Sequence, residues 1–291
     1  PPSRSPRSVP FPLTLLSITF LRMSDLTTLR THLTSLGRVV LGYSGGVDSS
    51  VLAVVGRQTL GRESFLAVIG RSASYPAVQA DAALELARRF DVPVLDVQTH
   101  ELQDPMYLSN TTERCYYCKA ELWSRLSEIK QDRGFDTVID GTNADDVGEH
   151  RPGTRAGTEW GVRSPLLELG WTKQRVRDTA LELRLPSWNA PAAPCLSSRV
   201  LYGLQITPDR LRQVESGEEF LRGLGIQGDL RVRHHGALAR LEVGPEEMNR
   251  LREQWDVIES AFRAFGFTAV ELDPRGYRRG GLLSLAPRSP I

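Results

Sequence analysis

The chain of 291 residues contains only three cysteines, three methionines and 7% aromatic residues. Three thiols cannot build the paired framework of a disulfide-stapled fold, and an odd count points to a reducing compartment where thiols bind metal or do chemistry. Charge of one sign is missing too: 36 Lys and Arg stand against 35 Asp and Glu, a net charge of +1. There is thus no global basic field, and no stable nucleic-acid partner is expected. No apolar run approaches a membrane span, so no membrane partner is expected and a cytoplasmic location is. No Gly-Lys-Ser/Thr clamp occurs, which excludes the commonest phosphate clamp, and no Gly-x-Gly-x-x-Gly string joins a strand to a helix, as a dinucleotide fingerprint would. What is present is 40% apolar residues, enough for a full core in one large domain with a smaller partner.

The first 22 residues read as a disordered or mis-called extension. Arg4 and Arg7 precede an apolar stretch, but prolines interrupt it and no small-x-small cleavage site follows. Met23 is the expected start, with Ser24 as helix cap and leucines at 26, 30, 33 and 36 at helical spacing. Residues 23–185 alternate strand patterns (38–43, 65–70, 93–97, 136–140) with helical ones (about 49–59, 76–90, 117–132, 172–184). That alternation predicts an α/β domain with a parallel sheet covered on both faces, its ligands beyond the carboxyl ends of the strands. Three prolines between Pro186 and Pro194 mark residues 186–199 as an active-site linker carrying Cys195. Beyond it a helix (208–223), strands (229–235, 238–243), a helix (246–263) and a strand (267–272) form a small α+β domain over 200–275, and 276–291 is a tail.

The most informative stretch is Ser44-Gly45-Gly46-Val47-Asp48-Ser49, where an apolar strand gives way to a helix. Glycines without a Cβ let their amides turn toward phosphate oxygens, and the helix N-terminus adds partial positive charge. Ser44 and Ser49 supply hydroxyl donors, and Asp48 can hold the Mg2+ that accompanies ATP. This string resembles the PP-loop of the ATP pyrophosphatase superfamily, whose fold is that of the adenine nucleotide alpha hydrolases.

Cys115 and Cys118 form a C-x-x-C pair whose reading stays open between a vicinal disulfide, half a zinc site and two structural residues. Adding Cys195 favours a cubane iron-sulfur cluster, because three thiolates can hold one with an iron left open, whereas structural zinc wants four protein ligands. Cys195 follows Pro194 and precedes Ser197, Ser198 and Arg199, surroundings that favour a nucleophilic thiolate.

Taken in order, the PP-loop, Asp140-Gly141-Thr142-Asn143-Ala144-Asp145-Asp146, Arg151-Pro152-Gly153, Gly161-Val162-Arg163-Ser164-Pro165-Leu166 and Pro194-Cys195-Leu196-Ser197-Ser198-Arg199 resemble the LarE family. These are ATP-dependent sulfur transferases of nickel-pincer nucleotide biosynthesis, which makes the cofactor of lactate racemase. The resemblance runs from about Met23 to Glu271. It implies ATP and Mg2+ held by Ser44, Gly45, Gly46, Asp48, Ser49, Ser72, Gly141, Thr142, Asn143 and Asp146. It implies a substrate, pyridinium-3,5-biscarboxylic acid mononucleotide, bound by Ser198, Arg199, Arg231 and Arg233, the last two taking its phosphate. A carboxylate is adenylated, with Asp48 and Cys195 as the catalytic residues, and sulfur then replaces AMP, twice over. Family members with one cysteine give up its sulfur; members with three resemble enzymes whose 4Fe-4S cluster carries a sulfide. Cys115, Cys118 and Cys195 place this chain in the second group, dependent on a sulfide source. Glu219 and Glu242 match acidic metal-binding positions at a subunit interface, implying a homo-oligomer. Ala190 departs from the family, which has lysine there. Competing readings are a tRNA-thiolating PP-loop enzyme, an amide-forming ligase on the same loop, and a non-enzymatic ATP sensor; the near-neutral charge opposes the first and the cysteines oppose the second.

Overall fold

Four parallel strands carry the larger domain: Val39–Gly42 (β1), Phe65–Arg71 (β2), Val94–Gln98 (β3) and Thr137–Ile139 (β4), in the order β3-β2-β1-β4. The computed structural model describes residues 26–146, 152–191, 194–278 and 280–282. The expectations for residues 1–22, Ser24, Arg151 and the tail beyond Leu282 lie outside the described residues.

Strand residues alternate between two cores because successive side chains point to opposite faces. Val39, Leu41, Phe65, Ala67 and Ile69 join one cluster, while Val40, Leu66, Val68 and Val138 join the other. A strand buried on both faces reads as the continuous apolar run seen in the sequence. The first face is covered by a helix over residues 26–35 (α1), by Val47–Leu60 (α2) and by Ala77–Arg89 (α3). After a short turn, Pro105–Leu108 (α4), the long helix Arg114–Asp132 (α5) covers the second face with Trp123 and Leu126. Pro152–Glu159 (α6) packs beside it, Pro165–Glu168 (α7) follows, and Lys173–Glu182 (α8) returns to the first face against α2. α5 starts three residues earlier than the periodicity implied, so Cys115 joins Cys118 in its first turns rather than lying ahead of it.

Sequential strands step outward from β1 to β3, and the chain then crosses back to place β4 on the other side of β1. A reversal of this kind opens a crevice between the carboxyl ends of β1 and β4, where open α/β sheets bind ligands.

The smaller domain is one helix, Pro208–Gly223 (α9), an antiparallel hairpin of Leu230–His235 (β5) and Leu238–Val243 (β6), two helices, Met248–Glu253 (α10) and Trp255–Ala264 (α11), and Ala269–Leu272 (β7) parallel to β6. A single helix over 246–263 was expected. Gln254, at φ −109° and ψ 16°, instead separates α10 from α11. Val232, Leu241, Phe262 and Phe267 centre this core. No helix among the described residues is long and apolar enough to cross a membrane.

Glu168 pins the segment that leads away from the crevice. It pairs bidentately with Arg163 and accepts from His32 at 2.8 Å and from the Ser164 amide at 3.0 Å. The Arg163 hydrogen bonds lower its carboxyl to about 2 against the opposing effect of burial, with Ser164 and His32 helping. A depressed folded pKa means the stabilisation is complete above the unfolded value and is lost as pH falls toward the folded one. Glu168→Gln should cost about 1 kcal/mol at neutral pH, discounted for partial exposure, and the deficit against wild type should shrink as pH falls from about 5 toward about 2, measured by denaturant titration across pH.

Candidate active site

Gly45 sits at φ +70°, and a Cβ there would meet the Ala83 Cβ at 2.7 Å, so both backbone conformation and helix packing demand glycine. Gly46 leads into α2 from an extended conformation, and the Ser49 hydroxyl accepts from the Ser44 amide at 3.3 Å and donates to the Gly46 carbonyl at 3.1 Å. Among the described residues the amides of Gly45, Val47, Asp48 and Ser49 carry no hydrogen-bond partner, which leaves a ring of donors at a helix N-terminus.

Asp48 is held from two sides. Asn143 Nδ2 donates to its Oδ1 at 3.0 Å, and Lys173 Nζ, at the start of α8, contacts its Oδ2 at 2.5 Å. Gly141 permits this closure, because a Cβ would lie 3.0 Å from the Ser49 amide nitrogen and 3.3 Å from the Asp48 Cβ. Asp140 accepts from the Thr142 amide and hydroxyl, Asp146 from the Asn143 amide and Asp145 from the Lys173 amide. The PP-loop residues, Gly141, Thr142, Asn143 and Asp146 therefore converge on the crevice at β1 and β4. Ser72 lies across β2 and is engaged elsewhere: its hydroxyl bonds Ser74 and the buried Glu101.

A second pole lies beside the Ser74 turn. The Leu196 amide donates to the Ser74 carbonyl at 2.8 Å, so Cys195 is docked at the carboxyl end of β2. Arg114, just 3% exposed, donates to Asn110 Oδ1 at 2.5 Å and to the Ser197 carbonyl at 2.9 Å. Tyr107 meets the Ser197 hydroxyl at 2.6 Å. Burial opposes the Arg114 charge, yet Cys195 and then Cys115 hold it above its ordinary value. Burial, followed by the Glu101 carboxylate and Cys195, pushes the Cys118 thiol well up. Cys195 and Cys115 thus act on both Arg114 and Cys118, although 80 positions separate Cys115 from Cys195. As a donor set, three thiols suit a cluster with one open iron. Among the described residues, however, no three His, Cys, Asp or Glu side chains gather closely enough to hold a metal ion.

From the smaller domain come the arginines. Arg199 grips Glu218 through two bonds of 3.0 and 3.1 Å and turns its Nη1 to the Pro194 and Cys195 carbonyls and the Ser198 hydroxyl. Arg231 and Arg233 occupy one face of β5, as alternation predicts, and each is 5% exposed rather than solvated. Arg233 bonds Glu242 at 2.9 Å and the Ser198 carbonyl at 3.1 Å. Burial, then the Arg199 charge, lowers Arg231 from its ordinary value, with Glu218 opposing. Glu242 is committed to Arg233, while Glu219 stands exposed on α9.

Residues 24–126 match the NAD synthase family. The chain is 40% identical to an uncharacterized protein of Synechocystis sp. over 89% of this chain and 97% of that one. It is 28% identical to an uncharacterized protein of Methanocaldococcus jannaschii, over 83% and 91%. To the pyridinium-3,5-bisthiocarboxylic acid mononucleotide synthase of Lactiplantibacillus plantarum it is 35% identical, over 87% of this chain and 91% of the relative. The chain belongs to that synthase family, LarE. As a LarE-family protein it is a PP-loop enzyme that uses ATP. Sequence reading alone missed Lys173, Arg114, Tyr107 and Glu101. Only the cation beside Cys115 carried a local signal, since the other contacts join positions far apart in the chain.

Gly45→Ala forces an L-residue into the left-handed region against Ala83, and should weaken nucleotide binding at least about tenfold while costing about 1–3 kcal/mol of stability. Calorimetric titration with ATP and Mg2+, alongside thermal unfolding, checks both.

Proposed function

We propose that this LarE-family enzyme adenylates a carboxylate of pyridinium-3,5-biscarboxylic acid mononucleotide with ATP and converts it to a thiocarboxylate. The observation that carries the reading is the docking of the Cys195 loop, through Leu196 to Ser74, beside a phosphate-binding loop with unpaired amides. A carboxylate oxygen is a poor leaving group, so activation must precede sulfur attack, and both centres are needed at one end of the sheet.

In the first half-reaction a substrate carboxylate oxygen attacks the α-phosphorus of ATP, and pyrophosphate leaves. The amides of residues 45–49 receive the developing charge on pyrophosphate and Asp48 holds Mg2+. Lys173, now on Asp48, is released toward the phosphates once that cation takes its place. Arg231 and Arg233 receive the substrate's 5′-phosphate from the smaller domain, and Arg199 with Ser198 fixes the sulfur loop. Gly141, Thr142, Asn143 and Asp146 shape the nucleotide crevice. Sulfur then forms the new C–S bond as AMP departs, and the cycle repeats on the second carboxylate to give the product that the Lactiplantibacillus relative is named for. Ser72, bonded to Glu101, serves this reading as part of the wall beside the nucleotide.

For the sulfur source we favour a 4Fe-4S cluster on Cys115, Cys118 and Cys195, which when bound would supply a sulfide that a sulfide source renews. Arg114 fits that role, because a guanidinium among thiolates offsets an anionic group. A second reading is favoured because, among the described residues, no three His, Cys, Asp or Glu side chains gather closely enough to hold a metal. There, Cys195 itself attacks the adenylate and forms a thioester; loss of its Cα proton and cleavage of Cβ–S then release the thiocarboxylate and leave dehydroalanine. A homo-oligomer involving Glu219 belongs to the same proposal.

Asp48→Ala should reduce substrate-dependent pyrophosphate release by at least about a hundredfold with the fold retained, and Lys173→Met by about tenfold or more. Release at the wild-type rate from Asp48→Ala removes the assignment. With anaerobically prepared enzyme and added sulfide, many turnovers and an intact Cys195 by mass spectrometry support the cluster. A single turnover with loss of the mass of hydrogen sulfide at Cys195 establishes the second reading instead.

A further inference from the structure

All three carbonyls of the phosphate-binding loop are occupied on the side away from its open amides. Ser44 O accepts from Tyr75 Oη at 3.0 Å and from Gln79 Nε2 at 2.7 Å. Gly45 O accepts from the Ser50 hydroxyl at 3.4 Å, and Gly46 O from the Ser50 amide at 2.9 Å and the Ser49 hydroxyl. In a trans peptide the N–H points opposite to the C=O. Two donors on the Ser44 carbonyl therefore turn the Gly45 N–H away from α3 and toward the crevice. Between a serine and a Gly-Gly pair this peptide plane is intrinsically free to flip, so its orientation has to be imposed from outside.

Tyr75 belongs to the turn that follows β2, and the same turn holds the sulfur loop. The Ser74 carbonyl accepts the amide of Leu196, the neighbour of Cys195. Beneath the turn Glu101, 3% exposed, takes both the Ser72 and the Ser74 hydroxyls on Oε1, while its Oε2 has no partner. A carboxylate left half-satisfied in the interior is costly, and here it clamps a turn of four residues. Burial, with the Tyr43 phenol adding and Arg71 opposing, keeps the Tyr75 hydroxyl protonated and hence a donor.

We propose that the Ser72–Tyr75 turn is a positioning bridge, in which Tyr75 with Gln79 orients the Ser44–Gly45 peptide for pyrophosphate and Ser74 carries that orientation to Leu196 and Cys195. The proposal rests on the adenylation reading above. Tyr75 and Glu101 touch no reacting atom, and they act through the loop and the turn respectively.

The test uses the full chain with Tyr75→Phe and Glu101→Ala. Two readouts are followed: the split of kcat and KM for pyrophosphate release with the biscarboxylate mononucleotide, and hydrogen exchange of the peptide containing Leu196 with and without ATP and Mg2+. Tyr75→Phe should lower kcat about tenfold while KM for ATP stays within about twofold, since the lost effect is orientation of a transition-state donor. In wild type, ATP and Mg2+ should slow exchange at Leu196, and both variants should lose that response. Should Glu101→Ala fail to fold by circular dichroism, Tyr75→Phe carries the test alone. Wild-type kcat and an intact Leu196 response in Tyr75→Phe overturn the bridge. So does a wild-type enzyme that binds ATP by calorimetry with no change at Leu196. If wild type releases no pyrophosphate with this substrate, yet ATP slows Leu196 exchange in it and not in Tyr75→Phe, the adenylation reading falls and the bridge stands.

Discussion

The crevice depends on how one carboxylate is shared. Asp48 is mostly withdrawn from water, and an ionised group in that position needs partners. It finds Asn143 from the loop after β4 and Lys173 from the start of α8, so three segments far apart in the chain close on one side chain. The missing Cβ of Gly141 lets the β4 loop come within contact of α2, and the Lys173 amide on Asp145 locks α8 to the same loop. Were Asp48 neutral or short, the amides at the start of α2 would lose the frame that keeps them facing a common point.

Charge in the smaller domain follows the opposite logic. Arg199, Arg231 and Arg233 crowd together beside Glu218 and Glu242, most of them withdrawn from solvent. A buried cation is tolerated when paired and hydrogen-bonded, and removing one partner of such a pair costs about 3–5 kcal/mol. The two domains thus offer complementary halves: helix-terminal amides with a carboxylate on one side, guanidinium groups on the other.

The sheet, its helices and the phosphate loop were legible because each leaves a local trace. Val39 to Leu41 is a doubly buried run, and paired glycines before Asp48-Ser49 have few other uses. The one-face placement of Arg231 and Arg233 followed from strand alternation alone. What could not be read were partnerships between distant residues. Nothing near Lys173 announces Asp48, and nothing near Glu101 announces two serines some 30 positions earlier. The break at Gln254 was hidden because apolar spacing continues across it. Glu242 looked like a free acidic ligand, but it lies opposite Arg231 in the hairpin and pairs diagonally with Arg233.

The loop from Pro194 to Leu204 is fastened from both sides, by Asn110, Arg114 and Tyr107 of the larger domain and by Glu218, Arg233 and the Val200–His234 bridge of the smaller one. Dissection of the chain is therefore asymmetric. A cut or an inserted residue in the exposed Pro186–Pro191 stretch severs few bonds, whereas one past Cys195 strips hydrogen-bond acceptors from buried Asn110 and Arg114 at once. The Cys195 loop behaves as common property of the two domains, and neither half, expressed by itself, inherits its full set of fastenings.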